Sequence, residues 1–208
     1  MKLTEHKKEL SSFICRIYKR GLTTSLGGNI SKLVSGNSFI ITPSGIDKCN
    51  VKPDQIAEIT FEGKNLTPGL VPSMETKMHL KIYMERNDIN AIIHAHPPLA
   101  STFCAMDKEI NTRLTGEAWA LLKKPVNAGY ALMGSDLLAD IVAEKANDGN
   151  VILMKNHGII CVGKNLLEAT ERIEALENAA KMTIITDLMN NKTELTDDQL
   201  KEIEKLFL

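Results

Sequence analysis

Two β-prone runs, ISKLV (residues 30–34) and SFIIT (38–42), are joined by the small polar linker Ser35-Gly36-Asn37. A linker that short between such runs specifies an antiparallel hairpin. The later strand candidates are spaced differently. AIIHAH (91–96), VILMKN (151–156) and GIICVG (158–163) are interspersed with helical patterns at PPLASTFCAM (97–106), which starts on prolines, and GSDLLADIVAEKAN (134–147), with Gly134 or Ser135 at its start. Hairpins mixed with helical crossovers give an α/β fold: a mixed, largely antiparallel central sheet covered by helices on both faces.

The remaining elements fit that frame. Residues 4–20 read as an amphipathic helix capped by Thr4, with Leu10, Phe13, Ile14 and Ile17 on one face and Gly21 at its end. TTSLGGN (23–29) reads as a loop. TPSGIDKCNVKPD (42–54) is turn-rich, and an ordered loop of that length is usually functional. QIAEITFEG and GKNLT suggest a second strand pair, and Ser73 a cap for a helix over 74–86. Asn165 to Asn190 is the longest helical pattern, and Thr196 caps a final helix through Leu208.

The absence of linker-like stretches favours one domain over 1–208. A chain of this length folds without a structural metal, so a metal site here is expected to serve chemistry. The formal charge of −1, with no basic block, argues against nucleic acid as partner. Cys15, Cys49, Cys104 and Cys161 form no C-x-x-C pair, so neither a disulfide framework nor a thiolate zinc site is expected. No apolar run suits a signal peptide or a membrane span, and the expected location is the cytoplasm.

The chain has five histidines. His94 and His96 stand two apart in a strand, so both side chains leave one face, about 6–7 Å apart at Cα. Two imidazoles so placed can meet one metal ion, or they can be polar residues of a core or edge. His157 sits at the tip between two apolar strands. Three such histidines with an open fourth position describe a catalytic zinc site. Glu75 and His79 share a helix face. Glu75 alone is also a carboxylate favoured in a first helical turn. Small residues at TSLGGN and TPSG let backbone N–H groups approach an anion.

The ordered set GGNIS, ITPSG, PSMET, HAHP and KNHG resembles the class II aldolase/adducin-head family, over about residues 5–190. The resemblance implies that His94, His96 and His157 bind zinc, or manganese in some members. It makes Glu75 a further ligand that becomes the acid/base on substrate binding, and leaves His79 structural. It places the substrate phosphate at Gly28, Asn29, Ser44, Gly45 and Ser73. Met74 departs from the family's common serine and removes one hydroxyl donor there.

The implied reaction is reversible cleavage of a ketose 1-phosphate, L-fuculose-like or deoxy-sugar, into dihydroxyacetone phosphate and an aldehyde. A cyclic homotetramer is implied as well. RLTGEAW (113–119) lacks the tyrosine that aldolases of the family take from a neighbouring subunit. Glu117 lies near where related methylthioribulose-1-phosphate dehydratases carry an acid/base, which makes that reaction the main alternative. Pentulose-phosphate 4-epimerases usually carry aspartate at the position of Glu75, and a non-catalytic adducin-head module is expected to lose the three histidines.

Overall fold

The computed structural model describes residues 2–35 and 37–206. Its strands are β1 (Asn29–Ser35), β2 (Ser38–Ile41), β3 (Ala57–Thr60), β4 (Ala91–Ala95), β5 (Val126–Ala128), β6 (Val151–Met154) and β7 (Gly158–Gly163). The helices are α1 (Leu3–Lys19), α2 (Thr76–Glu85), α3 (Pro98–Cys104), α4 (Gly116–Leu122), α5 (Asp136–Lys145), α6 (Leu166–Leu188) and α7 (Asp197–Lys205). All seven strands join one sheet in the order β3-β2-β1-β4-β7-β6-β5. Every pairing is antiparallel except β5 with β6, which are linked through α5. The expected hairpin is β1–β2, whose Gly36 lies outside the described residues.

β4, β6 and β7 are buried along their whole length and, His94 apart, carry no polar side chains, because both faces are covered. Ile93, Leu153, Ile159 and Cys161 pack with residues of α1, α3, α4 and α6. Their sequence neighbours Ile92, Ile152, Ile160 and Val162 pack on the other face with α2 and α5. On α1, Leu10, Ile14 and Ile17 are fully buried, each contributing about 1.5–3 kcal/mol. His94 and His96 share the parity of Ile92, and so point to the α2–α5 side.

Three local expectations are corrected. Helix α1 starts before Thr4: Lys2 is the N-cap, and its N–H donates to Glu5 Oε2 at 2.9 Å. Ser73 does not cap a helix from 74. Its hydroxyl accepts from the Glu75 N–H at 3.3 Å within the preceding turn, so Glu75 itself is the N-cap of α2. GKNLT forms no strand beyond a single bridge, Ile59 to Asn65, because Asn65 Oδ1 accepts from the Thr67 N–H at 2.8 Å and turns the chain away. Other caps fall where expected. Ser135 and Thr196 accept from the N–H groups of Leu138 and Gln199, and Asn165, the first residue of the longest helical pattern, also caps its helix by accepting from the Glu168 N–H. Phe207 and Leu208, at the end of the expected final helix, lie outside the described residues.

Candidate active site

Strand register brings the histidines together. His94 lies in β4 opposite Asn29 of β1 and Ile160 of β7, and His96 follows just past the strand end. His157 arrives from the turn between β6 and β7, where Asn156 takes a left-handed conformation at φ 55°. The His94 ring centroid lies 4.5 Å from that of His96 and 4.8 Å from that of His157. One potential ligand atom from each of the three lies within 4.8 Å of the others. Two glycines permit this approach. A Cβ on Gly158 would stand 2.5 Å from His96 Cδ2, and one on Gly28 would stand 2.7 Å from the His94 carbonyl oxygen.

The N-cap position of α2 aims Glu75 at the cluster. Its Oε2 is 3.2 Å from His94 Nε2 and accepts from Asn29 Nδ2 at 2.8 Å, and its Oε1 is 3.1 Å from His157 Nε2. Burial pushes the Glu75 carboxyl up, but His94, His157 and Asn29 outweigh it and hold the group ionised, well below the usual carboxylate range. Burial lowers His94, against the pull of Glu75, and takes His96 down to about 4, so burial favours the neutral imidazoles that a metal needs.

The tautomer of His94 then tests whether a cation fits. Nδ1 lies 3.0 Å from the Ile159 carbonyl oxygen, which only accepts, so Nδ1 carries the proton. Nε2 is thus the ring nitrogen left to face the Glu75 carboxylate, 3.2 Å away, where a cation can be shared between them. Three imidazoles with one carboxylate are a donor set suited to zinc or a similar divalent ion. His79 stands outside this cluster. Its Nδ1 shares a 2.7 Å hydrogen bond with Ser31 Oγ, which also meets the Tyr83 hydroxyl, tying α2 to β1. Burial lowers His79 to about 3 and leaves it neutral.

A cavity of about 310 Å³ opens beside the histidines. Gly28, Asn29, Ser44 and Ser73 line it, with Glu75 and all three cluster histidines. Gly45 is not among the lining residues; at φ 68° it turns the loop behind Ser44. The amide nitrogen of Asn29 is committed to Glu75, so this side chain orients the carboxylate as well as facing the cavity. Asn156 of KNHG also lines the cavity, as do Lys48 and Met133, which the sequence does not single out. Glu117 does not line it. It is exposed on α4, beside a glycine whose added Cβ would meet Ile203 of α7. The cysteines are free thiols, although Cys15 and Cys49 approach to 3.4 Å between sulfurs.

Residues 8–184 match the family model described as Class II Aldolase and Adducin N-terminal domain. The chain belongs to this family. It is 38% identical over 183 residues to an L-fuculose phosphate aldolase of Methanocaldococcus jannaschii, covering 88% of this chain and 98% of the relative. It is 29% identical over 211 residues to a 5-deoxy-D-ribulose 1-phosphate aldolase of Bacillus thuringiensis serovar kurstaki, covering 100% and 97%. A solved L-fuculose 1-phosphate aldolase superposes with a TM-score of 0.89 at 30% identity, over 97% of this chain and 95% of that one. The class II aldolases are metal-dependent lyases, and this member carries the histidine cluster.

Proposed function

We propose that this chain is a zinc-dependent aldolase that reversibly cleaves a ketose 1-phosphate into dihydroxyacetone phosphate and an aldehyde. The observation that carries the reading is the convergence of His94, His96 and His157 with the Glu75 carboxylate, in a cavity that continues to Ser44 and Ser73. His94, His96 and His157 would hold the ion, with Glu75 placed to be a further ligand. The metal supplies Lewis-acid polarisation of the substrate carbonyl.

The chain's own residues do the rest. Gly28, Ser44 and Ser73 hold the phosphate, with Asn29 at the boundary between the two halves of the site. Glu75 moves a proton at the carbon beside the carbonyl, delivering it to that carbon in cleavage, which completes dihydroxyacetone phosphate, and removing it from the same carbon in condensation. Asn29 keeps one Glu75 oxygen oriented through its 2.8 Å hydrogen bond. Met74, 61% exposed, replaces a hydroxyl donor with apolar surface at the cavity rim, so the phosphate relies on Ser73 and Ser44.

The dehydratase alternative rests on Glu117, and its exposed position away from the cavity of its own chain gives that reading no support. The deciding experiment incubates metal-loaded protein with a panel of ketose 1-phosphates and assays dihydroxyacetone phosphate, aldehyde and dehydrated product. Formation of dihydroxyacetone phosphate and aldehyde in equal amounts is the expected result. Dehydrated product without dihydroxyacetone phosphate would transfer the assignment to the dehydratase.

A further inference from the structure

Lys48 is the one buried lysine among the described residues. Its side chain lies in the 42–56 loop yet is only 1% exposed, and it lines the cavity shared by Ser44, Ser73 and the histidine cluster. Its Nζ donates to one acceptor, the Pro43 carbonyl at 2.9 Å. An ammonium has three donors, so two are left without a protein partner among the described residues. Nor does a carboxylate offset its burial. Desolvation alone perturbs it, lowering its pKa to about 8. The adjacent Asp47 is turned to the Cys49 N–H and Asn50 Nδ2, at 3.0 and 2.7 Å.

The backbone fixes where this charge sits. Lys48 N–H donates to the Ser25 carbonyl at 2.8 Å, which clamps the loop onto the glycine-containing stretch before β1. Pro43 pairs with Pro72 as an isolated bridge, and Ser44 N–H donates to the Val71 carbonyl at 3.0 Å. Ser44 and Ser73 therefore follow directly on the two bridged prolines, and the ammonium is anchored to the carbonyl that precedes Ser44. Burying an unpaired ammonium costs several kcal/mol. A fold that keeps one against a polar cavity offers two ammonium donors to an anion bound there.

We infer that Lys48 supplies the cationic contact for the substrate's phosphate, making this pocket selective for a dianionic phosphate ester over an uncharged sugar. This rests on the reading of the substrate as a ketose phosphate. The hydroxyls of Ser44 and Ser73 orient the oxygens, and Lys48 neutralises the charge that those neutral donors cannot. The lysine also offsets the hydroxyl lost at Met74.

The test titrates inorganic phosphate and dihydroxyacetone phosphate into metal-loaded parent, Lys48→Met and Lys48→Arg by calorimetry, with metal content measured alongside. Lys48→Met should retain the metal and lose about 10- to 100-fold in affinity for both anions, and Lys48→Arg should recover part of it. Without anion, Lys48→Met should melt no lower than the parent, because an uncompensated buried charge has been removed. A lysine that only braced the loop would instead lower the melting temperature and leave anion affinity in the folded fraction unchanged, which would overturn the inference. Lys48→Gln repeats the anion measurement if the methionine variant fails to fold. Equal anion affinity in parent and charge-removed variants refutes the role of Lys48 and leaves the phosphate-ester reading standing. A parent that binds neither anion removes that reading itself.

Discussion

Gly158→Ala isolates how much of the metal site depends on close packing behind the imidazoles. The added Cβ would fall 2.5 Å from His96 Cδ2, 2.7 Å from the Ala95 carbonyl oxygen and 3.2 Å from His94 Cε1. The imidazole of His96 can rotate away, but the carbonyl belongs to β4, which is paired to β7 on that side. Separation of the two strands or displacement of two ligands must follow. Overpacking of this kind costs about 1–3 kcal/mol. For a chain of 208 residues that corresponds to a fall in melting temperature of about 2–12 °C. Displaced ligands should also weaken metal binding by about 10- to 100-fold, the usual effect of disturbing groups behind a metal ligand. The assay combines thermal melting of the metal-free protein with zinc titration against a competing chelator. Gly129→Ala is the control, since that exposed glycine has nothing within 4 Å of an added Cβ. Parent-like stability and zinc affinity in Gly158→Ala would refute the packing argument.

Chelation should abolish activity and leave the far-ultraviolet circular dichroism of the fold intact, because the core clusters on both sheet faces close without the site; global unfolding would instead make the metal structural. His157→Ala should lower metal stoichiometry, and full occupancy with unchanged affinity would remove His157 from the ligand set. Lys48 gives a pH dependence with a definite sign. Its folded pKa of about 8 lies below the ordinary lysine value of 10.5, so between these the unfolded chain binds more protons and stability rises with pH. The parent should therefore gain up to about 3 kcal/mol relative to Lys48→Met between pH 8 and 10.5 in urea titrations; a flat difference across that window would contradict the buried, unpaired charge.

What the sequence made legible was whatever periodicity or spacing encodes. The two-residue step from His94 to His96 fixed a shared face, and the alternation through β4 and β7 fixed two covered faces. Local caps at Ser135 and Thr196 were readable because their hydrogen bonds close within three residues. Helix α4 and strand β5 were not anticipated. They span seven and three residues, too short for a period to emerge, and β5 exists through its parallel pairing with β6. Glu75 was visible as a carboxylate, but its aim depends on the N-cap geometry of a turn misread as helix. Lys48 was unreadable: in the sequence it is one polar residue of a turn-rich loop, and its burial comes from contacts at Ser25 and Pro43.

The central claim is that Glu75 moves the proton while the imidazoles keep the metal, and Glu75→Gln separates the two. The amide is nearly isosteric and cannot take up a proton. The measurement is exchange of the dihydroxyacetone phosphate C–H proton with deuterated solvent, which needs no aldehyde, run beside a metal determination. The account predicts metal retained through His94, His96 and His157, with exchange slowed by about 10²–10⁴-fold. Exchange at the parent's rate with metal bound would contradict it and require another base.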